Sequence, residues 1–112
     1  MTTTSTGRLA EKIASDYLNH NGHHILSLNW RTRFCEIDIV SQTKDIVYFS
    51  EVKYRQNASW GDGLEAIGAK KLKQMELATR FWASSNNYEG DMRLLAINMT
   101  GIPPKIIDII EL

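Results

Sequence analysis

Glu36-Ile-Asp-Ile-Val-Ser-Gln-Thr-Lys44-Asp45-Ile-Val-Tyr-Phe-Ser-Glu51-Val-Lys53 decides how this chain folds. Two runs rich in β-branched and aromatic residues meet at the polar pair Lys44-Asp45, which predicts strands over 34–41 and 46–54 closed as a hairpin. Residues two apart on a strand share one face at about 6.5 to 7 Å, so Glu51 and Lys53 project the same way. A turn centred on Lys44-Asp45 sets Asp38 opposite Glu51, where cross-strand Cβ atoms lie about 4.5 to 5.5 Å apart. On that register Phe34, Glu36, Asp38 and Val40 share a face with Val47, Phe49, Glu51 and Lys53. The charged groups gather at one end and the apolar ones at the other. Two carboxylates that close repel unless a cation sits between them.

Working outward, residues 7–21 carry helical spacing, with Leu9, Ile13 and Tyr17 on one stripe, Ala10, Ala14 and Leu18 beside it, and Asn21-Gly22 as the stop. A short strand is expected at 25–29. The Asn, Ser and Gly residues of 56–63 predict a loop before a second helix over 64–84, whose apolar side is Ile67, Leu72, Met75, Ala78, Phe81 and Trp82. Strands at 92–99 and 105–112, parted by Gly101-Ile-Pro-Pro104, close the chain. The order predicts an α/β layered sandwich, a mixed central sheet flanked by helices. Residues 1–6 read as a disordered tail and 7–112 as a single domain.

The composition bounds the function. With 112 residues, 43% hydrophobic and 23% charged, there is material for one core. Thirteen basic residues balance thirteen acidic ones, so any affinity for nucleic acid must come from local clusters of positive charge. Cys35 is the only cysteine, which rules out an internal disulfide and points to a reducing, cytoplasmic setting. Neither a secretory leader nor a run long enough to span a bilayer is visible, so no membrane partner is expected.

Metal-assisted phosphodiester hydrolysis needs hard oxygen ligands and a group that orients and deprotonates water. Asp38 and Glu51 can supply ligands for Mg²⁺ or Mn²⁺, the Val52 carbonyl can complete the protein's share, and Lys53 lies beside the position of an attacking water. Its ammonium can stabilise developing charge, or a depressed pKa can let it transfer a proton. Glu11, on the border of the first helix's apolar stripe, is the fourth candidate. It reads equally as a surface acid paired with Lys12 or Arg8, and Glu-x-Lys by itself reads as an ordinary salt bridge. Arg31, Arg33, Arg55, Lys70, Lys71 and Lys73 bracket the acids in sequence and are either phosphate contacts or a solvated charged face. Trp60, in the loop, either stacks on a base or pins the loop. His20, His23 and His24 have no metal-ligand spacing, and Cys35 lacks the partners of a thiol nucleophile.

Gly7-Arg-Leu-Ala-Glu11-Lys-Ile-Ala14, Asn29-Trp-Arg31, Glu36-Ile-Asp38, Glu51-Val-Lys-Tyr-Arg55 and Lys70-Lys71 resemble, in order and spacing, the small bacterial YraN-like proteins, which are predicted endonucleases. The resemblance runs from Gly7 to about Phe81. It implies a PD-(D/E)xK nuclease of the restriction-endonuclease-like fold, similar to archaeal Holliday-junction resolvases, with Glu11, Asp38, Glu51 and Lys53 as the metal site. The family usually has glycine before both the helix acid and the Glu-Ile-Asp run, where this chain has Ala10 and Cys35. The expectation is a Mg²⁺- or Mn²⁺-dependent DNA endonuclease acting on branched or structured DNA in repair or recombination, working by analogy as a homodimer. The alternative is a non-catalytic nucleic-acid-binding module that keeps the nuclease fold.

Overall fold

The computed structural model describes residues 5–56 and 67–112. In chain order they form helix α1 (Ser5–His20), strands β1 (His24–Arg31), β2 (Glu36–Thr43) and β3 (Ile46–Arg55), helix α2 (Ala69–Asn86), and strands β4 (Asp91–Thr100) and β5 (Lys105–Glu111). The strands make one sheet in the order β1-β2-β3-β4-β5, antiparallel except for β3 and β4, which run parallel. A parallel neighbour needs a crossover, and α2 lies in it.

Each face of the sheet is covered by one helix. Ala10, Ala14 and Leu18 of α1 pack on Ile39, Ile97 and Met99. Met75, Ala78 and Trp82 of α2 pack on Cys35, Ile37, Val40, Val47 and Phe49, with the Trp82 ring meeting Phe49 edge-on at 5.6 Å. This is the layered α/β sandwich expected from the order of elements. The small residues of α1 let the helix lie close to the sheet, and of its two stripes it is Ala10, Ala14 and Leu18 that is buried; Leu9 and Tyr17 are exposed.

Several boundaries differ from the sequence reading. Ser5 and Thr6, expected in the tail, already belong to α1, and residues 1–4 lie outside the described residues. α2 begins at Ala69, with Gly68 extended as its N-cap; residues 64–66 of the expected helix, and Trp60 with the rest of 57–66, lie outside the described residues. Phe34 is not in a strand. It occupies the bend between β1 and β2 and is 62% exposed.

The hairpin turns at Lys44-Asp45, with Thr43 paired to Ile46 and Ile39 to Ser50. Strict alternation along β2 fails nonetheless. Ile37 and Val40 both pack under α2, while Ile39 packs under α1. The cause is a fork. The β2–β3 ladder ends at Ile39–Ser50, yet β2 continues beside β1 to Glu36 and β3 continues beside β4 to Arg55. Beyond the fork the two strands are free to rotate apart, and Ile37 turns to the opposite side from Ile39.

Candidate metal and phosphate site

The fork leaves polar backbone groups of β3 without ladder partners, and a buried N–H left unpaired costs about as much as a lost hydrogen bond. Asp38 fills that role. Its Oδ2 accepts the Val52 N–H at 2.8 Å, so the side chain takes the place of a strand and is locked in position, 6% exposed. Glu51, next along β3 from the last laddered residue, reaches the same point, and the two carboxyl groups share a hydrogen bond. From the α2 side the Lys71 ammonium approaches Glu51 Oε1 at 3.5 Å. The pairing of Asp38 with Glu51 follows from continuing the hairpin register by one step.

The electrostatics follow from this crowding. Burial is the main cause that holds both carboxyls above their ordinary values, and the charge of Asp38 then pushes Glu51 further, to about 7. Lys71 opposes the rise, and the Val52 N–H holds Asp38 down. The pair therefore retains a proton close to neutrality. Glu11 is also raised, first by burial and then by Asp38, while a hydrogen bond from Asn29 lowers it. Glu11, Asp38, Asn29 and Arg8 line a cavity of about 430 Å³ between α1 and β1. Asn29 turns into it on a left-handed backbone, φ 51°, a conformation that asparagine tolerates better than most residues.

Among the described residues no three His, Cys, Asp or Glu side chains gather closely enough to form a ligand set. Asp38 and Glu51 meet; Glu11 stands off, feeling Asp38 through its charge. The donors that do meet are hard oxygens, two carboxylates approached by the Lys71 ammonium, and the proton the pair retains close to neutrality is what a divalent cation would displace. The set fits Mg²⁺ or Mn²⁺, which commonly take one or two carboxylates and fill the remaining positions with water and phosphate oxygens.

Lys53 is half-buried on β3, level with Asn98 in the parallel β4. Asn98 is buried, donates to Asp108 Oδ1 at 2.8 Å, and its own Oδ1 has no protein partner. Arg31, Arg33, Arg55 and Lys70 are exposed; Lys71, grouped with them in the sequence reading, is instead the ion-pair partner of Glu51. Asn29, Asn98 and this use of Lys71 were not anticipated. Asn29 had a signal, the Asn-Trp-Arg motif, whereas the other two depend on which elements pack together. Cys35 is buried with its thiol 3.3 Å from Thr32 Oγ1, and it is not among the residues with positive φ, so the backbone there accommodates a cysteine.

A stability prediction arises here. The folded value of Glu51 is raised, so folding favours the protonated acid: its contribution is fully present below about 4.5 and is lost as the pH climbs through about 7. In metal-free protein this amounts to about 3 kcal/mol between pH 4.5 and 8. Glu51→Gln removes it. Urea denaturation in chelator at pH 5 and pH 8 is expected to show the variant gaining on the wild type at the higher pH, and equal differences at both would contradict the assignment.

Comparison with known proteins places the chain. The model described as "Uncharacterised protein family UPF0102" matches residues 10–112. Similar curated proteins include a UPF0102 protein of Pseudomonas fluorescens (strain Pf0-1), 34% identical over 71% of this chain and 72% of that protein. One from Sulfurihydrogenibium sp. (strain YO3AOP1) is 32% identical over 90% and 89%, and one from Parafrankia sp. (strain EAN1pec) is 42% identical over 69% and 66%.

Proposed function

We propose, for a chain that belongs to the UPF0102 family, the YraN-like proteins its motifs resemble, that it is a Mg²⁺- or Mn²⁺-dependent endonuclease hydrolysing phosphodiester bonds in DNA. The observation that carries this reading is the strand fork, where buried Asp38 lies beside half-buried Glu51 and the pair balances the Lys71 ammonium only by retaining a proton. Surface salt bridges do not need such an arrangement, and a purely structural pair would be more stable with one acid replaced by an amide.

Asp38, Glu51 and the Val52 carbonyl would hold the ion, which supplies the positive charge that phosphoryl transfer needs at a non-bridging oxygen. The Val52 N–H keeps Asp38 oriented and opposes the rise that burial causes in its pKa, so the ligand is preformed. Lys53, on the same face of β3 as Glu51, presents its ammonium to the charge that develops as the phosphorus gains a fifth oxygen. Glu11, steadied by Asn29 in the adjoining cavity and raised above the ordinary carboxylate value chiefly by burial, orients the incoming water and accepts its proton. Exposed Arg31, Arg33, Arg55 and Lys70 are the candidate contacts to flanking phosphates. Because the whole chain carries no net charge, binding to plain duplex is expected to be weak, with branched or otherwise distorted DNA preferred. Localisation in the cytoplasm belongs to the same proposal; among the described residues no helix is long and apolar enough to cross a membrane.

The test is calorimetric titration of Mn²⁺ into the metal-free protein, followed by assays on branched, single-stranded and duplex DNA with and without chelator. Binding of one ion per chain and chelator-sensitive cleavage are the expected results. DNA binding that persists in chelator with no cutting under any metal would instead favour the non-catalytic module.

A further inference from the structure

The bend between β1 and β2 holds an aromatic ring where water should be. Phe34 is 62% exposed and stacks on Phe81 of α2, centroids 6.3 Å apart and planes 15° from parallel; Phe81 is itself 37% exposed. The Arg33 guanidinium lies over the Phe34 ring, 5.4 Å from its centre. The bend is tied down rather than loose, because Thr32 Oγ1 accepts the N–H groups of Phe34 (3.1 Å) and Cys35 (3.2 Å) while the Thr32 N–H reaches the Cys35 carbonyl at 2.8 Å. Two exposed rings stacked on a fixed turn are apolar surface that folding alone does not require. Their setting is cationic, with Arg31 and Arg33 exposed in the same segment and Arg80 exposed beside Phe81 in α2; the nearby acid is Glu36, level with Arg31 across the strands.

We infer that Phe34, backed by Phe81, is a stacking platform for an unpaired nucleobase, which takes the place of the Arg33 guanidinium over the ring as Arg33 turns to the adjoining phosphate. An aromatic ring with a guanidinium over it holds a flat, electron-rich group by contacts that a base can replace, and it asks nothing of base identity. The platform rests on the nuclease reading for its position. Asp38 follows Phe34 by four residues, a reach of at most about 14 Å even for fully extended chain, or up to roughly four stacked nucleotides. A base held on Phe34 thus puts a strand's backbone within reach of the acid pair, and a substrate already unstacked there, at a branch or a single-stranded flank, is favoured because it has no stacking left to break.

The experiment is fluorescence anisotropy of a labelled 12-nucleotide oligothymidine and of a blunt duplex of equal length, in chelator, with wild type, Phe34→Ala and Phe34→Trp. Oligothymidine affinity is expected to fall about 5- to 100-fold in Phe34→Ala and to be retained in Phe34→Trp, with the duplex changing less than about twofold. Urea midpoints should stay level, since the ring is mostly exposed. Equal oligothymidine affinity in Phe34→Ala and wild type overturns the platform, as does a shift from dimer to monomer in Phe34→Ala with DNA affinity unchanged, which would make the rings a contact between copies. Failure of the nuclease reading looks different: Phe34-dependent binding would persist while no metal supports cleavage.

Discussion

Asp38→Asn is expected to abolish calorimetric Mn²⁺ uptake and to lower metal-dependent cleavage by at least about a hundredfold, with the fold intact. The amide keeps an oxygen of the same size in the same place, so the Val52 N–H bonded to Oδ2 at 2.8 Å retains its acceptor and the strand fork stays closed. What is lost is the charge. The amide oxygen is a weak ligand, and with Asp38 neutral, Glu51 loses the neighbour that helps raise its pKa and reverts toward an ordinary carboxylate beside Lys71. Asp38→Ala is the informative contrast. It strands the buried N–H and should cost about 1 to 3 kcal/mol of stability besides activity. Cleavage by Asp38→Asn within a few fold of the wild type would remove Asp38 from the site.

Phe49→Ala is expected to destabilise the protein by about 3 to 5 kcal/mol, enough to unfold a domain of this size under mild denaturant. Phe49 has no exposed surface, lies opposite Val40 across the hairpin, and carries the edge-on contact with Trp82 that fixes α2 against the sheet. Small domains bury a limited area, and a cavity at the centre of one of only two packed layers cannot collapse without moving the helix. The consequence reaches the site. Lys71 sits one turn before Met75 on that helix, so a displaced α2 takes its ammonium from Glu51. A chemical-denaturation midpoint no lower than the wild type's would show that the layer repacks.

Element order and the hairpin were legible in the chain because they rest on short-range chemistry. A polar pair between two β-branched runs sets the turn, the turn sets the register, and the register alone puts Asp38 within one pleat of Glu51; the helices announce themselves through Ala10, Ala14 and Leu18 and through Met75, Ala78 and Trp82. Faces beyond the turn were less legible. Period-two alternation assigned Phe34 to a strand and does not foresee Ile37 packing on the same side as Val40, since it assumes both neighbours stay paired along the whole length of β2.

Which acids would come together was thus written into the local pattern of residues 36–53. How they are held was settled only by packing: the departure of β2 from β3, which turns Asp38 into the partner of a backbone N–H; the docking of α2, which brings Lys71 to Glu51; and the seating of α1 on the opposite face, which sets Glu11 beside Asn29. Those contacts join residues far apart in sequence, and no periodicity encodes them. They exist because two apolar layers must close on one sheet, and closing them carries the charged side chains at their margins into place.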